Sequence, residues 1–180
     1  FSVSNGAIRY GLSAIKSVGR SVVDAIIADR EANGLYTSLD DFVDRMGGRE
    51  VNKRTLESFI KSGAFDSLPG NRRQKIEVAP ELLDQKEKKQ YQITMPNVPE
   101  YPKEELLAFE KEILGVYVSG HPLEEYLDLW KNSVTAQTID FAVDEETGHA
   151  KVADNSRVTI GGMITAKTVK ITKTGQQMAF

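Results

Sequence analysis

The sequence predicts a mainly α chain that turns to β near its C-terminal end. Three observations carry that expectation. Up to about residue 131, apolar residues recur at helical spacing between capping residues and glycines. From residue 157 to 171 the pattern changes to a loose alternation rich in Val, Ile and Thr. The 180 residues, 40% of them hydrophobic, are also enough for one or two small domains with real cores.

Ile8, Leu12 and Ile15 are spaced for one face of a first helix. Val22, Val23, Ile26 and Ile27 line the next, and Gly34 stands where its C-terminal stop should be. Ser38 followed by Asp41 forms a capping-box pattern ahead of Leu39, Phe42, Val43 and Met46. Gly47-Gly48 should end that helix. Asn52 is placed to cap another, carrying Leu56, Phe59 and Ile60, which Gly63 ends. Phe65 and Leu68 are expected to pack back on it. After a turn at Pro69-Gly70, Asn71 can cap a further helix. Pro80 should kink or break this helix, because proline lacks the donor and clashes with the preceding turn.

Pro96, Pro99 and Pro102 predict an extended linker over residues 90–102. Leu106, Leu107, Phe109, Ile113 and Leu114 then rebuild a helix that stops at Gly115. Pro122 begins another, with Leu123, Tyr126, Leu127 and Trp130. Residues 157–171 read as one long strand with a bulge or sharp bend at Gly161-Gly162. Lys173-Thr174-Gly175 reads as a hairpin turn, and Gln176 to Phe180 as the start of the return strand. Four segments follow: a helical region at 1–70, an acidic helical extension at 71–131, a polar linker at 132–156 and a β segment at 157–180.

One and a half strands cannot close a sheet, and their exposed edge would favour pairing with another chain. The chain opens on Phe1 rather than methionine and stops inside the apolar run Met178-Ala179-Phe180. A piece of something longer is therefore expected.

The net charge of −3 is unevenly spread. Residues 1–75 carry 12 Lys/Arg against 9 Asp/Glu, residues 76–150 carry 6 against 16, and residues 151–180 carry 5 against 1. Basic ends can meet phosphate, whereas the acidic middle is a poor nucleic-acid surface. With no cysteine, disulfide scaffolds, thiolate zinc sites and cysteine nucleophiles are excluded. His121 and His149 leave little for an imidazole metal site, and neither a metal nor a cofactor is expected. Neither a run of membrane-span length nor a signal-peptide pattern is present, so a cytoplasmic setting is the simplest reading.

The chemistry sits in two basic stretches. Lys16-Ser17-Val18-Gly19-Arg20 forms a tight turn that leads into a helix start. The first amides of a helix lack intrahelical partners and carry partial positive charge, so they can hold a phosphate. Such a contact reads backbone and not base sequence. A looser copy follows in Lys53-Arg54 and Lys61-Ser62-Gly63-Ala64, within a stretch from Arg49 to Lys75 that holds seven Lys/Arg and three Asp/Glu. Two such hairpins could straddle a duplex. The same residues also read as ordinary helical hairpins with solvated charges.

The blocks Phe1-Ser2-Val3 with Ile8 to Gly19, Asn52-Lys53-Arg54, Lys61 to Asp66, Glu110 to Leu123 and Thr172 to Phe180 occur in the order found in a known family. Together they resemble the region after the polymerase domain in the alpha (catalytic) subunit of bacterial DNA polymerase III. The resemblance implies a tandem helix-hairpin-helix domain that holds duplex DNA behind the active site. It also implies the first strands of an OB-fold barrel that contacts single-stranded template, with other polymerase III holoenzyme subunits as partners. The parent would be a DNA-directed DNA polymerase, a nucleotidyltransferase using Mg at aspartates that lie outside this segment. Hairpins of this family often read Gly-Val-Gly, and here Ser17 replaces the first glycine. The family's internal clamp-binding motif would fall near residues 84–98, where Gln90-Tyr91-Gln92-Ile93-Thr94-Met95 lacks the aromatic end.

Other tempting residues read as structural. Asp140, Asp144, Glu145 and Glu146 could suggest paired carboxylates for two-metal chemistry, but they sit in a weakly periodic polar stretch and read as a solvated loop. His121 before Pro122 reads as a helix start. Tyr126 and Trp130 read as packing residues. Lys167, Lys170 and Lys173 recur on or near one strand, as in a groove for single-stranded DNA, or as guards of a strand edge.

The leading expectation is a non-catalytic DNA-binding segment. The alternative is a protein-interaction module that docks through the acidic helices of residues 76–131. A helix-hairpin-helix accessory domain of a repair nuclease or ligase is disfavoured by the blocks around 110–123 and 172–180.

Overall fold

Six α-helices dominate the described residues: α1 (Arg20–Asn33), α2 (Leu39–Met46), α3 (Lys53–Lys61), α4 (Arg72–Lys88), α5 (Lys103–Leu114) and α6 (Leu127–Ser133). The computed structural model describes residues 2–4, 6–48, 50–88 and 94–180. These divide into two units, Phe1–His121 and Pro122–Phe180. The boundary expected at residue 70 thus falls inside the first unit, where α3 packs on α4. No helix among the described residues is long and apolar enough to cross a membrane.

The helix ends follow local chemistry. Ser38 Oγ accepts the Asp41 amide at 3.1 Å and Asn52 Oδ1 accepts the Thr55 amide at 3.0 Å. Asn71 and Gln74 form a reciprocal box, each side chain bonded to the other's amide at 2.8 Å. At Ser38 only half of the expected box forms, because the Asp41 carboxylate bonds the amide of Thr37 instead. Gly115 ends α5 in the left-handed conformation.

The core of the first unit is one cluster contributed by all five of its helices, including Ile26, Leu39, Phe42, Leu56, Phe59, Ala79, Leu82 and Ile113. Phe42 sits edge-on to Tyr36, Phe59 and Phe65, with ring centroids 4.9, 6.0 and 4.7 Å away. Each such side chain contributes about 1.5–3 kcal/mol by leaving water.

The structure corrects several sequence expectations. Ile8 is not helical: β1 (Ser2–Ser4) pairs antiparallel with β2 (Ala7–Arg9), and Leu12–Ala14 is a single 3-10 turn. Gly6, at φ 75°, supplies the tight reversal between the strands. Pro80 does not break α4, which runs through it. Its ring is exposed, while Val78, Ala79 and Leu82 bury the other face. That packing offsets the roughly 3 kcal/mol an interior proline costs.

The stretch at 94–102 is extended, as expected, but it is tied down across the start of α4. Gln74 donates to the Pro96 carbonyl at 2.7 Å and Asn71 to the Val98 carbonyl at 3.0 Å. Gln90–Ile93, which hold most of the clamp-motif candidate, lie outside the described residues.

In the second unit, α6 begins at Leu127 after a 3-10 turn at Glu124–Tyr126, and not at Pro122. Tyr126 is exposed rather than packed. Trp130 does pack: a Cβ on Gly161 would come within 2.8 Å of its ring. Gly161 therefore serves close approach and not a strand bulge. The long strand expected over 157–171 shrinks to β3 (Val169–Ile171), paired antiparallel with β4 (Gln177–Ala179) across the predicted turn. Upstream of it, Thr159 bonds Thr135 and Ala136 instead of a neighbouring strand.

Candidate nucleic-acid interface

The first hairpin is an open turn on a rigid mount. Ile15 is buried, and the Val18 amide closes a turn onto its carbonyl at 3.2 Å. Ser17 takes φ 69° in that turn, a left-handed conformation that glycine adopts with less strain. The Lys16 amide donates to the Ile113 carbonyl in the last turn of α5 at 3.0 Å. Gly19 caps α1 in extended conformation and brings no side chain to the helix start. The start of α1 thus has no side-chain cap, and Lys16 and Arg20 on either side of it are both exposed. Arg20 reaches Asp24 at 3.3 Å in a fully solvated pair worth little.

The head of α3 joins this surface. Thr55 Oγ1, on a buried residue, lies 3.5 Å from the Ser17 carbonyl, at the limit of a hydrogen bond. Lys53 and Arg54 immediately precede it and are exposed. Lys53 makes a long 3.9 Å contact with Glu57. The structure thus brings Lys16–Arg20 together with Lys53 and Arg54.

The second turn is built differently. Lys61 lies at the far end of α3, about 12 Å along the axis. Its ammonium sits over the Phe109 ring, 5.0 Å from the centroid. Gly63 has φ 80°, and a Cβ there would overlap the Arg72 guanidinium. Arg72 is buried. It donates three bonds to Asp66, at 2.9, 3.1 and 2.6 Å, and reaches Glu110 at 3.3 Å and the Lys61 carbonyl at 3.2 Å. Glu110, 1% exposed, also accepts the amides of Val118 and Ser119 at 2.7 and 2.9 Å. Burial alone would raise its carboxyl, but those amides and Arg72 outweigh this and hold its pKa below the ordinary range. Ala64 is exposed beside this network.

The amides at the start of α4 also have a partner. Glu100 accepts the Arg72 amide at 2.8 Å and the Arg73 amide at 3.1 Å. Burial raises this carboxyl as well, and the amides of Arg72, Tyr101 and Arg73 bring it below the ordinary range. Buried Lys75 gathers the carbonyls of Phe65, Leu68 and Gly70 at 2.9, 3.0 and 2.5 Å, which fixes the turn that leads into α4.

In the second unit Lys167, Lys170 and Lys173 are all exposed. Lys170 pairs with Met178 in the register, and its ammonium lies 5.7 Å from the centre of the Phe180 ring. The acidic residues act locally. Asp140 bonds the Gln137 amide and Lys151, and Asp144 bonds the amides of Glu146 and Thr147. Among the described residues no group of three or more His, Asp or Glu is placed to hold a metal ion.

Residues 1–75 match the family model for the helix-hairpin-helix motif. The chain is 43% identical to the DNA polymerase III subunit alpha of Borreliella burgdorferi over 147 residues, 70% of this chain. It is 34% identical to that of Deinococcus radiodurans over 99% of the chain, and 34% identical to that of Aquifex aeolicus over 96%. The chain belongs to the DNA polymerase III alpha-subunit family. It spans 13%, 15% and 14% of those three relatives.

Within this family segment, sequence reasoning missed three residues that shape the site: Arg72, Glu100 and Glu110. Glu110 stands in the block that resembles the family, yet nothing local marks it as buried. Glu100 looks like a linker charge, because its partners lie 27 and 28 residues upstream. The one usable signal was Asn71-Arg72-Arg73-Gln74, a capping pattern that locates the helix start Glu100 would meet.

Proposed function

We propose that this chain is the DNA-holding segment of a bacterial replicative polymerase. Its helical unit grips backbone phosphates of the duplex behind the active site. Held there, the polymerase leaves its template less often and extends further per encounter, with no change in the chemical step. Nucleotidyl transfer with Mg belongs to other parts of the parent chain, and this segment supplies no catalytic group. A cytoplasmic setting and other holoenzyme subunits as partners belong to the same reading. So does a contact of Lys167, Lys170 and Lys173 with single-stranded template at the start of an OB-fold barrel.

The observation that carries this reading is the hairpin at Lys16–Arg20. Its side-chain-free helix start, exposed cations and anchored backbone are what a phosphate contact needs. The family match over residues 1–75 supports it. Binding of the chain to a fluorescent duplex should weaken steadily as salt rises. A Lys16→Glu, Arg54→Glu variant should lose affinity while keeping its helical circular dichroism. A folded wild-type chain that fails to bind even at low salt would overturn the proposal and turn attention to the acidic helices as a docking surface.

A further inference from the structure

The first unit carries a cleft of about 580 Å³, lined by β2, α1 and the segments that follow α1 and α3. Ligand pockets typically measure about 300–1,000 Å³. Lys16, Arg20, Lys53 and Arg54 do not line it, so it is separate from the surface proposed to meet DNA. We infer that this cleft docks a peptide segment of a protein partner, one that presents a large apolar side chain beside a carboxylate.

The floor and the rim of the cleft differ in chemistry. The floor reaches the core at Ile26, Phe42, Phe59 and Phe65, all buried. The rim adds apolar surface that the unit itself leaves in water, at Ile27 and at Leu35, which is 78% exposed. Exposed hydrocarbon that continues into a concave apolar floor marks an interaction site, unlike a scattered surface leucine. Arg9 and Arg30, both exposed, complete the rim, and no Asp or Glu lines the cleft. A guanidinium offers two parallel donors to a carboxylate. Charge complementarity therefore selects an acidic occupant, and the floor selects one with hydrocarbon to bury.

Nucleic acid meets only half of this description. Its phosphates would satisfy the arginines but leave the apolar floor unfilled. A base needs an open ring face to stack on. Phe42 and Phe65, 2% and 7% exposed, pack edge to face with each other, and the Arg45 guanidinium already lies 4.2 Å from the centre of the Tyr36 ring. An apolar side chain needs no such face.

The test selects a display library of random dodecapeptides on the immobilised 180-residue chain and then titrates the recovered peptides, labelled, in solution. Recovered sequences should place a large apolar residue within two positions of Asp or Glu. Arg30→Glu and Leu35→Glu, at exposed positions, should each weaken peptide binding about tenfold or more with unchanged helical circular dichroism. Arg20→Glu, outside the cleft, should leave it unchanged. A library that yields no enriched peptide, sequences without carboxylates, or equal affinity in the cleft variants would overturn the inference. If Arg30→Glu weakens duplex binding while peptide binding stays the same, the cleft arginines serve phosphate. The docking inference then falls while the DNA-holding function stands.

Discussion

In the first unit sixteen buried residues, from Ile15 to Ile113, form one contiguous apolar cluster. In the second, Ala136 is the single apolar residue, among those described, that is buried, and Leu129, Ile139, Ile164, Ile171 and Phe180 are each more than 60% exposed. The first unit is thus stabilised mainly by removing hydrocarbon from water. The second relies on backbone hydrogen bonds, short caps at Asp140 and Asp144, and the contact of Trp130 with Gly161. Regions with few buried contacts open at lower free energy. The contrast teaches that this chain combines a body built on one contiguous apolar core with a β-containing segment that has little core of its own.

The largest expected effect breaks the first unit at its polar centre. Arg72→Ala leaves Glu110 buried, without its cation, and opens the notch at Gly63. Losing one partner of a buried pair costs about 3–5 kcal/mol. The midpoint of helical circular dichroism in urea should fall accordingly. Arg20→Ala, which removes a solvated pair, should barely move it. A loss below about 1 kcal/mol for Arg72→Ala would mean that the apolar cluster alone holds the unit.

A smaller effect tests whether the second unit is as separate as its burial suggests. Trp130 is the only tryptophan in the sequence, so its fluorescence reports the second unit alone. Gly161→Ala drives a methyl group into the Trp130 ring, and overpacking of this kind costs about 1–3 kcal/mol. The fluorescence transition should shift to lower urea, while the helical transition stays in place. If both move together, the two units unfold as one and the contrast between them fails.

Much of the first unit was legible because its signals are local. Ser38, Asn52 and Asn71 cap helices where the sequence places them, and Gly34 and Gly115 end helices as expected. The β1–β2 pair was missed although Asn5-Gly6 is a two-residue hairpin signal, because the spacing of Ile8, Leu12 and Ile15 imitates a helix. Pro80 misled because its cost is local while the burial that offsets it is tertiary. The candidate site was half legible. The first hairpin follows from adjacent residues. The closure of the second depends on Glu100 and Glu110, which lie 28 and 38 residues from Arg72 and reach it only after folding. The second unit was least legible, since alternation of Val, Ile and Thr implies strands only where a partner strand exists.

The smallest effect carries the contrast down to single turns within the first unit. Ser17 and Gly63 have nearly the same backbone, φ 69° and 80°, in the two repeats. Their surroundings are opposite: Ser17 is exposed, whereas Gly63 lies against Arg72. Ser17→Gly relieves a left-handed strain of about 1–2 kcal/mol, part of which is offset by the greater freedom of glycine in the unfolded chain. A net gain of about 0.5–1 kcal/mol is expected, seen as a higher urea midpoint of the helical signal. Gly63→Ala imposes the same strain and also displaces the guanidinium, so its midpoint should fall. If both substitutions shift the midpoint in the same direction, backbone conformation alone does not decide the outcome as argued. Opposite signs with a fall at Gly63→Ala larger than the gain at Ser17→Gly would mark the second turn as one already filled by the Arg72 guanidinium.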